Sequence, residues 1–405
     1  MKDLEWLDYG KLRLSWGTNG NRSLANTYLS LANLGSGSNA TMDYLKADGS
    51  LAVDMKYLMM DRLANPVLQW EKTEAYNVGL DFSLFGKRLT CSIDYYYKKT
   101  HDMIMPQRLP NFSGFNSIWT NLGEVQNSGI ELTLNSVNID SENFRWTTTL
   151  AFSYNKNKIK HLYYEYDESG KEIDDTANGW FIGKSIGEIW DYDVIGTWQV
   201  GEADEAALVN QVPGDPKVAN HYTEDDIINA DGSRTPVYND NDKVYHGTTI
   251  PPVYWSLRND FTLWKDFDVS FSIYSYMGHK SKGTYYMNKA NTADCMSRAH
   301  NQFVQSYWLP ENPTNDFVRL DAAGPSGASD PVKVYNRSFI RLDNITLGYT
   351  LPRQWTKKCL IDRIRVTASV RNIACIGFDK TWEFGDYETG GMANRIYNLG
   401  FNFTF

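Results

Sequence analysis

From Tyr76 to Leu84 the chain alternates. Tyr76, Val78, Leu80, Phe82 and Leu84 are large and apolar, and Asn77, Gly79, Asp81 and Ser83 between them are small or polar. The same period runs through Leu89, Cys91, Ile93, Tyr95 and Tyr97, through Ile130, Leu132 and Leu134, and through Trp146, Thr148, Leu150, Phe152 and Tyr154. It returns in 267–273, in 364–370 and in the closing Tyr397, Leu399, Phe401, Phe403 and Phe405. Side chains that share a face every second residue define a β-strand. The pattern predicts ten long strands, near 10–20, 72–84, 88–104, 129–139, 144–159, 253–264, 267–278, 338–351, 363–376 and 395–405.

The lengths of these segments and of the links between them narrow the fold class. The segments run to about 11 residues, where soluble strands average about 5–6 and membrane-crossing strands need about 9–11. Short links at 85–87, 140–143 and 265–266, with a moderate one at 352–362, alternate with long polar segments at 21–71, 105–128, 160–252, 279–337 and 377–394. Short turns on one rim and long loops on the other predict an all-β, antiparallel transmembrane barrel wall with long extracellular loops. Segment 186–200 is also strand-like, but as a span it would put a long loop on the short-turn rim. It is therefore assigned to a hairpin inside the 160–252 loop. Trp146 and Tyr154 lie eight residues apart on the outward face, roughly 20 Å of height in a tilted strand, which suits two aromatic girdles.

Composition removes several alternatives. No apolar run approaches the roughly 18 residues of a membrane-crossing helix, and the mean hydropathy is −0.49. That excludes a helical membrane protein and leaves a barrel open. The 405 residues carry a net charge of −9, which argues against a nucleic-acid partner. Cys91, Cys295, Cys359 and Cys375 are far apart and form no CxxC pair, so neither a zinc site nor a disulfide framework is expected. Lys2, Asp3 and Glu5 follow Met1 without the apolar stretch of a secretory signal; for an exported protein the signal is expected upstream.

Candidate chemistry is sparse. Gly183-Lys184-Ser185 resembles the end of a phosphate-binding loop, but only three residues separate it from Gly179 where the motif needs four, and no strand-to-helix context follows. The six histidines show no metal-binding spacing. Asn229-Ala230-Asp231-Gly232 and Asp240-Asn241-Asp242 lack the spacing and closing Glu of a calcium loop, and read as solvated turns. No nucleophile motif is present, so neither catalysis nor a cofactor is expected. The long loops, in contrast, are rich in aromatic residues. Trp119, Trp180, Trp190, Tyr285, Tyr286, Trp308 and Trp382 are candidates for contact with sugar rings or peptide side chains. The competing reading is that such residues pin large loops together.

Several stretches resemble the SusC/RagA-type TonB-dependent outer-membrane transporters. They are 12–21 (LRLSWGTNGN), 65–73 (NPVLQWEKT), Leu109-Pro110 with Ser113-Gly114-Phe115, and Asn121-x-Gly123-Glu124-Val125-x-Asn127-x-Gly129-Ile130-Glu131-Leu132. The most specific is 338–352 (SFIRLDNITLGYTLP); Arg365-Val366, Arg371-Asn372 and the terminal Phe405 complete the series in the family's order. The resemblance implies a 22-stranded barrel around an N-terminal plug. Such a protein sits in the cell outer membrane, against outer-membrane lipid, and imports large nutrients. Its partners would be a TonB complex as energy source, a SusD-like surface lipoprotein as lid, and an oligosaccharide or peptide substrate. Plug and TonB box are not among these residues, so 1–405 are expected to form the C-terminal part of the barrel. The resemblance also makes Phe405 an assembly signal. Two other classes are a non-transporting outer-membrane surface protein for adhesion or glycan capture, and a soluble β-sandwich binding module.

Overall fold

The computed structural model describes residues 6–21, 28–35, 41–46, 48–56, 59–283, 306–320, 322–328, 331–357, 361–382, 385–391 and 393–405. Its framework is one antiparallel sheet of ten strands in chain order. They are β1 (Leu7–Gly20), β2 (Lys72–Leu84), β3 (Leu89–His101), β4 (Glu124–Asp140), β5 (Phe144–His161), β6 (Val253–Leu263), β7 (Phe267–Met277), β8 (Phe339–Thr350), β9 (Arg363–Gly377) and β10 (Ile396–Thr404). Among the described residues, β1 and β10 each pair on one side only. All ten predicted spans are present, and long and short connections alternate as expected.

The short turns are tight. Phe85, Gly86 and Lys87 all take positive φ, as do Trp264 and Lys265, which reverses the chain within a few residues. The longer link after β8 holds a short helix, Arg353–Thr356, fastened by a 2.5 Å ion pair between Arg353 and Asp362.

Register carries one apolar row from strand to strand. Trp16 lies opposite Tyr76, Tyr76 opposite Tyr97, and Leu132 opposite both Ile93 and Phe152. Phe152 lies opposite Trp255, and Val370 opposite Tyr397. Near the short-turn rim Trp146 stacks on Phe261 at 5.7 Å, and Phe261 on Phe271 at 6.1 Å. Asn259 is a polar exception in this row. It is buried because its Oδ1 accepts from Trp146 Nε1 at 2.9 Å and from Thr148 Oγ1 at 2.6 Å, so the polar atom has partners under an aromatic cover.

The other face is polar and knit by cross-strand ion pairs: Arg13 with Asp81 and Asp94 at 2.7 and 2.8 Å, and Asp268 with Arg365 at 2.7 Å. Glycine makes room for them. A Cβ at Gly348 would come within 2.4 Å of Asp268 and 2.7 Å of Arg365, so only a residue without one lets that pair lie flat on the sheet. At Gly129 a Cβ would meet the Tyr154 carbonyl at 2.3 Å and the Tyr96 hydroxyl at 2.5 Å.

Most of the apolar core lies outside the sheet, in the long loops. One cluster gathers Tyr192, Trp198, Ala206, Val209, Val218, Tyr238 and Ala328, joining 188–248 to the segment before β8. A second packs Met105 and Val125 against Ile159 and Leu162, and a third joins Phe317, Tyr335 and Trp382. Segment 186–200 is strand-like within its loop, as expected, but it forms no hairpin with itself. Glu188–Tyr192 pairs with Lys243–Thr248, and Val194–Thr197 with Pro216–Val218. The solvated-turn reading holds for Asp231, which accepts from Ser233 at an exposed hairpin tip. It does not hold for Asp242. That carboxylate is fully buried and accepts from the backbone N–H groups of His221, Tyr222 and Asn239.

Candidate functional site

The polar face of β4 to β7 forms a concave patch. Glu131, Thr133, Ser153, Ser256 and Ser272 line a cavity of about 540 Å³, walled on one side by Tyr254, Tyr274 and Tyr276. Alternation produces it, because each of these residues lies between two members of the apolar row. The Tyr254 and Tyr276 rings meet edge to face at 4.8 Å, and Tyr274 and Tyr276 lie 5.6 Å apart. Tyr274 also donates its hydroxyl to Glu388 at 2.5 Å, tying the last long loop to this wall. Hydroxyls, aromatic faces and one carboxylate suit a polar chain such as a sugar polymer or a peptide. Among the described residues no group of three or more His, Cys, Asp or Glu could hold a metal.

Above the wall the loops form a rim. Trp119 sits in a short hairpin, Ile104–Arg108 paired with Ser117–Asn121, where its carbonyl accepts from Asn65 at 2.7 Å. Trp180 packs on the Ile159 cluster. Trp190 meets Phe181 edge to face at 5.0 Å and has Lys243 over its ring at 4.6 Å. Trp308 is 5% exposed, donates to Gln199 at 3.1 Å, and lies against Gly214, where a Cβ would clash at 2.4 Å. Trp382 is 9% exposed, between Tyr335 and Tyr387 with Arg337 over its ring. Trp308 and Trp382 are therefore loop-core residues here, whereas Trp119, Trp180 and Trp190 keep part of their surface. Tyr285 and Tyr286 lie outside the described residues. Phe405, just beyond β10, is 89% exposed.

The charges of the rim are set by their surroundings. Burial raises the Tyr163 hydroxyl, and its bond to Asp175 at 2.8 Å raises it further. Burial likewise pushes Tyr238 up to about 12, helped by Asp242 and Asp226. Burial works against charge on Asp379 and Asp386 too, but hydrogen bonds outweigh it. Thr381 and the Asn336 N–H hold Asp379 below the usual carboxylate range; Arg341 and the Glu388 and Thr389 N–H groups do so for Asp386.

The wall tyrosines were not among the candidates read from the sequence, which looked to the loops. Their signal was present: Tyr274 and Tyr276 interrupt a row of small polar residues, Ser270 and Ser272, on the polar face of one strand.

Residues 3–373 match the family model described as "TonB dependent receptor-like, beta-barrel". The chain belongs to this family of outer-membrane β-barrel proteins, and its polar face is the wall of the barrel lumen. It is similar to TonB-dependent receptor P26 of Formosa agariphila, with 30% identity over 366 residues covering 87% of this chain and 34% of that protein. TonB-dependent receptor SusC of Bacteroides thetaiotaomicron is 27% identical over 363 residues, 88% of this chain and 33% of its own length. In fold it is similar to a solved structure of the RagAB peptide transporter, with a TM-score of 0.70 at 22% identity over 99% of this chain and 41% of that one. The chain thus spans about a third of the length of its curated relatives.

Proposed function

We propose that this chain is the C-terminal wall of an outer-membrane transporter that imports large nutrients such as oligosaccharides or peptides, energised through a TonB complex and lidded by a SusD-like surface lipoprotein. The observation that carries this reading is the alignment with TonB-dependent receptors, SusC among them, along most of the chain. The sheet edges support the placement as part of a wall. Unpaired backbone groups in lipid cost several kcal/mol each, so β1 and β10 need strands beyond these ten. The lumenal cavity with Tyr254, Tyr274 and Tyr276 supplies a surface along which a polar chain could pass, and the rim formed by 160–252 and the described parts of 279–337 is the lip that would meet lid and substrate. The test is uptake of a labelled panel of oligosaccharides and peptides by cells with and without the gene, together with affinity purification of the encoded protein. A substrate lost on deletion, and a co-purifying surface lipoprotein, are expected. Unchanged uptake across the panel would overturn the import reading.

A further inference from the structure

One cluster of cations at the loop rim takes no part in import as argued above. On β5, Lys156 and Lys158 continue the apolar row of Leu150, Phe152 and Tyr154, so they face outward, toward the membrane side. At about 3.3 Å per residue and a tilt near 40°, they stand roughly 5–10 Å above Tyr154. That is where the hydrocarbon gives way to headgroups. β6 begins only at Val253, opposite Tyr154, so the upper end of β5 has a gap on that side. Segment 183–185 comes alongside the gap: Gly183 N–H donates to the Ile159 carbonyl and Ile159 N–H to that of Lys184, both at 2.8 Å.

The result is a notch of about 320 Å³ lined by Lys156, Lys158, Lys184, Ser185 and Thr248. The Ser185 and Thr248 hydroxyls lie 3.1 Å apart. Lys184 Nζ is held over the Tyr245 ring at 3.9 Å, and among the described residues none of the three ammonium groups has a carboxylate within ion-pair distance. Glu188 is the one acidic residue in the lining, leaving a local excess of positive charge in a chain whose net charge is −9. Gly183, Gly247 and Gly278 keep the walls low. Three unpaired ammonium groups and two hydroxyls match a phosphomonoester dianion.

We propose that this notch binds the phosphate of a phosphorylated glycolipid headgroup in the outer leaflet. Lys156 and Lys158 set one side of the notch beside the lipid-facing row at headgroup level, with Asn155 and Asn157 of the polar row on its other side, and that position favours the lipid over a free anion. The site is independent of what the barrel imports.

The test uses the protein as its gene encodes it, extracted from outer membranes in mild detergent and examined by native mass spectrometry. Phosphorylated lipid A is compared with the same lipid after phosphatase treatment. Wild type should retain the phosphorylated lipid at least about tenfold better than the treated one, and at least about tenfold better than K156Q/K158Q/K184Q does. K156R/K158R/K184R should keep the preference, and heat-modifiable gel migration reports whether each variant has a folded barrel. Equal retention of the two lipids by wild type overturns the proposal even if the glutamine variant fails to fold. So does equal lipid retention by a folded glutamine variant. Inorganic phosphate is the remaining probe: binding of it without retention of the lipid would assign the notch to a free anion and defeat the lipid source.

Discussion

Arg341 Nη2 donates to both carboxylate oxygens of Asp386, at 2.5 and 2.6 Å, and the two side chains are 4% and 6% exposed. The pair fastens the last long loop to the polar face of β8. The same guanidinium donates to Asn372 on β9, and Arg337 donates to the carbonyls of Tyr387 and Glu388. A loop held in this way is a fixed part of the lumen entrance.

Removing one partner should free it. Asp386→Ala removes the two-oxygen partner of the buried Arg341 guanidinium and leaves it the longer contact to Glu388 at 3.3 Å, so the loss should approach but not exceed the about 3–5 kcal/mol seen where a buried pair is broken outright. Hydrogen exchange in 378–395 should accelerate while the β8 and β9 amides stay protected. The double change Arg341→Met with Asp386→Leu should cost less than either single removal, because no buried charge is stranded: Glu388, 30% exposed, keeps its bond from Tyr274. Unchanged exchange in Asp386→Ala would show that the pair does not hold the loop.

Gly129 should tolerate no side chain. A Cβ there meets the Tyr154 carbonyl, which is backbone and cannot swing aside, as well as the Tyr96 hydroxyl. Gly129→Val should therefore lower the amount of assembled barrel several-fold, scored by heat-modifiable migration and surface abundance. Tyr96→Phe is the control. It removes only the hydrogen bond to Asn155 Oδ1 at 2.9 Å and should cost about 0.5–1.5 kcal/mol, leaving assembly near normal.

Much of this fold was legible from parity alone. Ten alternating segments gave ten strands, because a sheet wet on one side and greasy on the other forces period two. The ends were less legible. β4 begins at Glu124 and not at 129, since Gln126, Asn127 and Ser128 are polar on both faces, as strand residues above the lipid can be. Pairing inside the loops was not legible: Glu188–Tyr192 finds its partner at Lys243–Thr248, far along the chain, and nothing local specifies that. Aromatic content drew attention to the loops but could not separate Trp308 and Trp382, buried in loop cores, from Trp190, which keeps part of its surface. Gly129 was readable as part of a family-like motif, whereas its physical reason, close approach of Tyr96 and β5, needed the register.

Mild acid should loosen the base of the loop that follows β7. His279 is buried, its Nδ1 has no hydrogen-bond partner among the described residues, and burial, with a smaller push from Arg337, lowers its pKa to about 4. The unfolded imidazole takes its proton near 6.5, so the opened state binds more protons between about pH 6.5 and 4. The stability that neutral His279 confers is present above that window and falls as pH drops through it, by on the order of 3 kcal/mol in full. Asp379 and Asp386, held below the usual carboxylate range, stay charged there. Hydrogen exchange or limited proteolysis of 278–283 and 333–337 at pH 7 and pH 5 should show opening at the lower pH, and His279→Gln should flatten the difference. A pH response that survives in His279→Gln would assign it to another group.

Import is separated from mere capture at the cell surface by where the ligand ends up. The decisive measurement is the amount of a cognate labelled oligosaccharide or peptide recovered from the periplasm of cells expressing the encoded protein, with and without a protonophore. The account predicts periplasmic accumulation that collapses when the protonmotive force is removed, while binding at the surface persists. Ligand that stays on the surface under both conditions would contradict it, and would make the barrel a scaffold for adhesion or glycan capture.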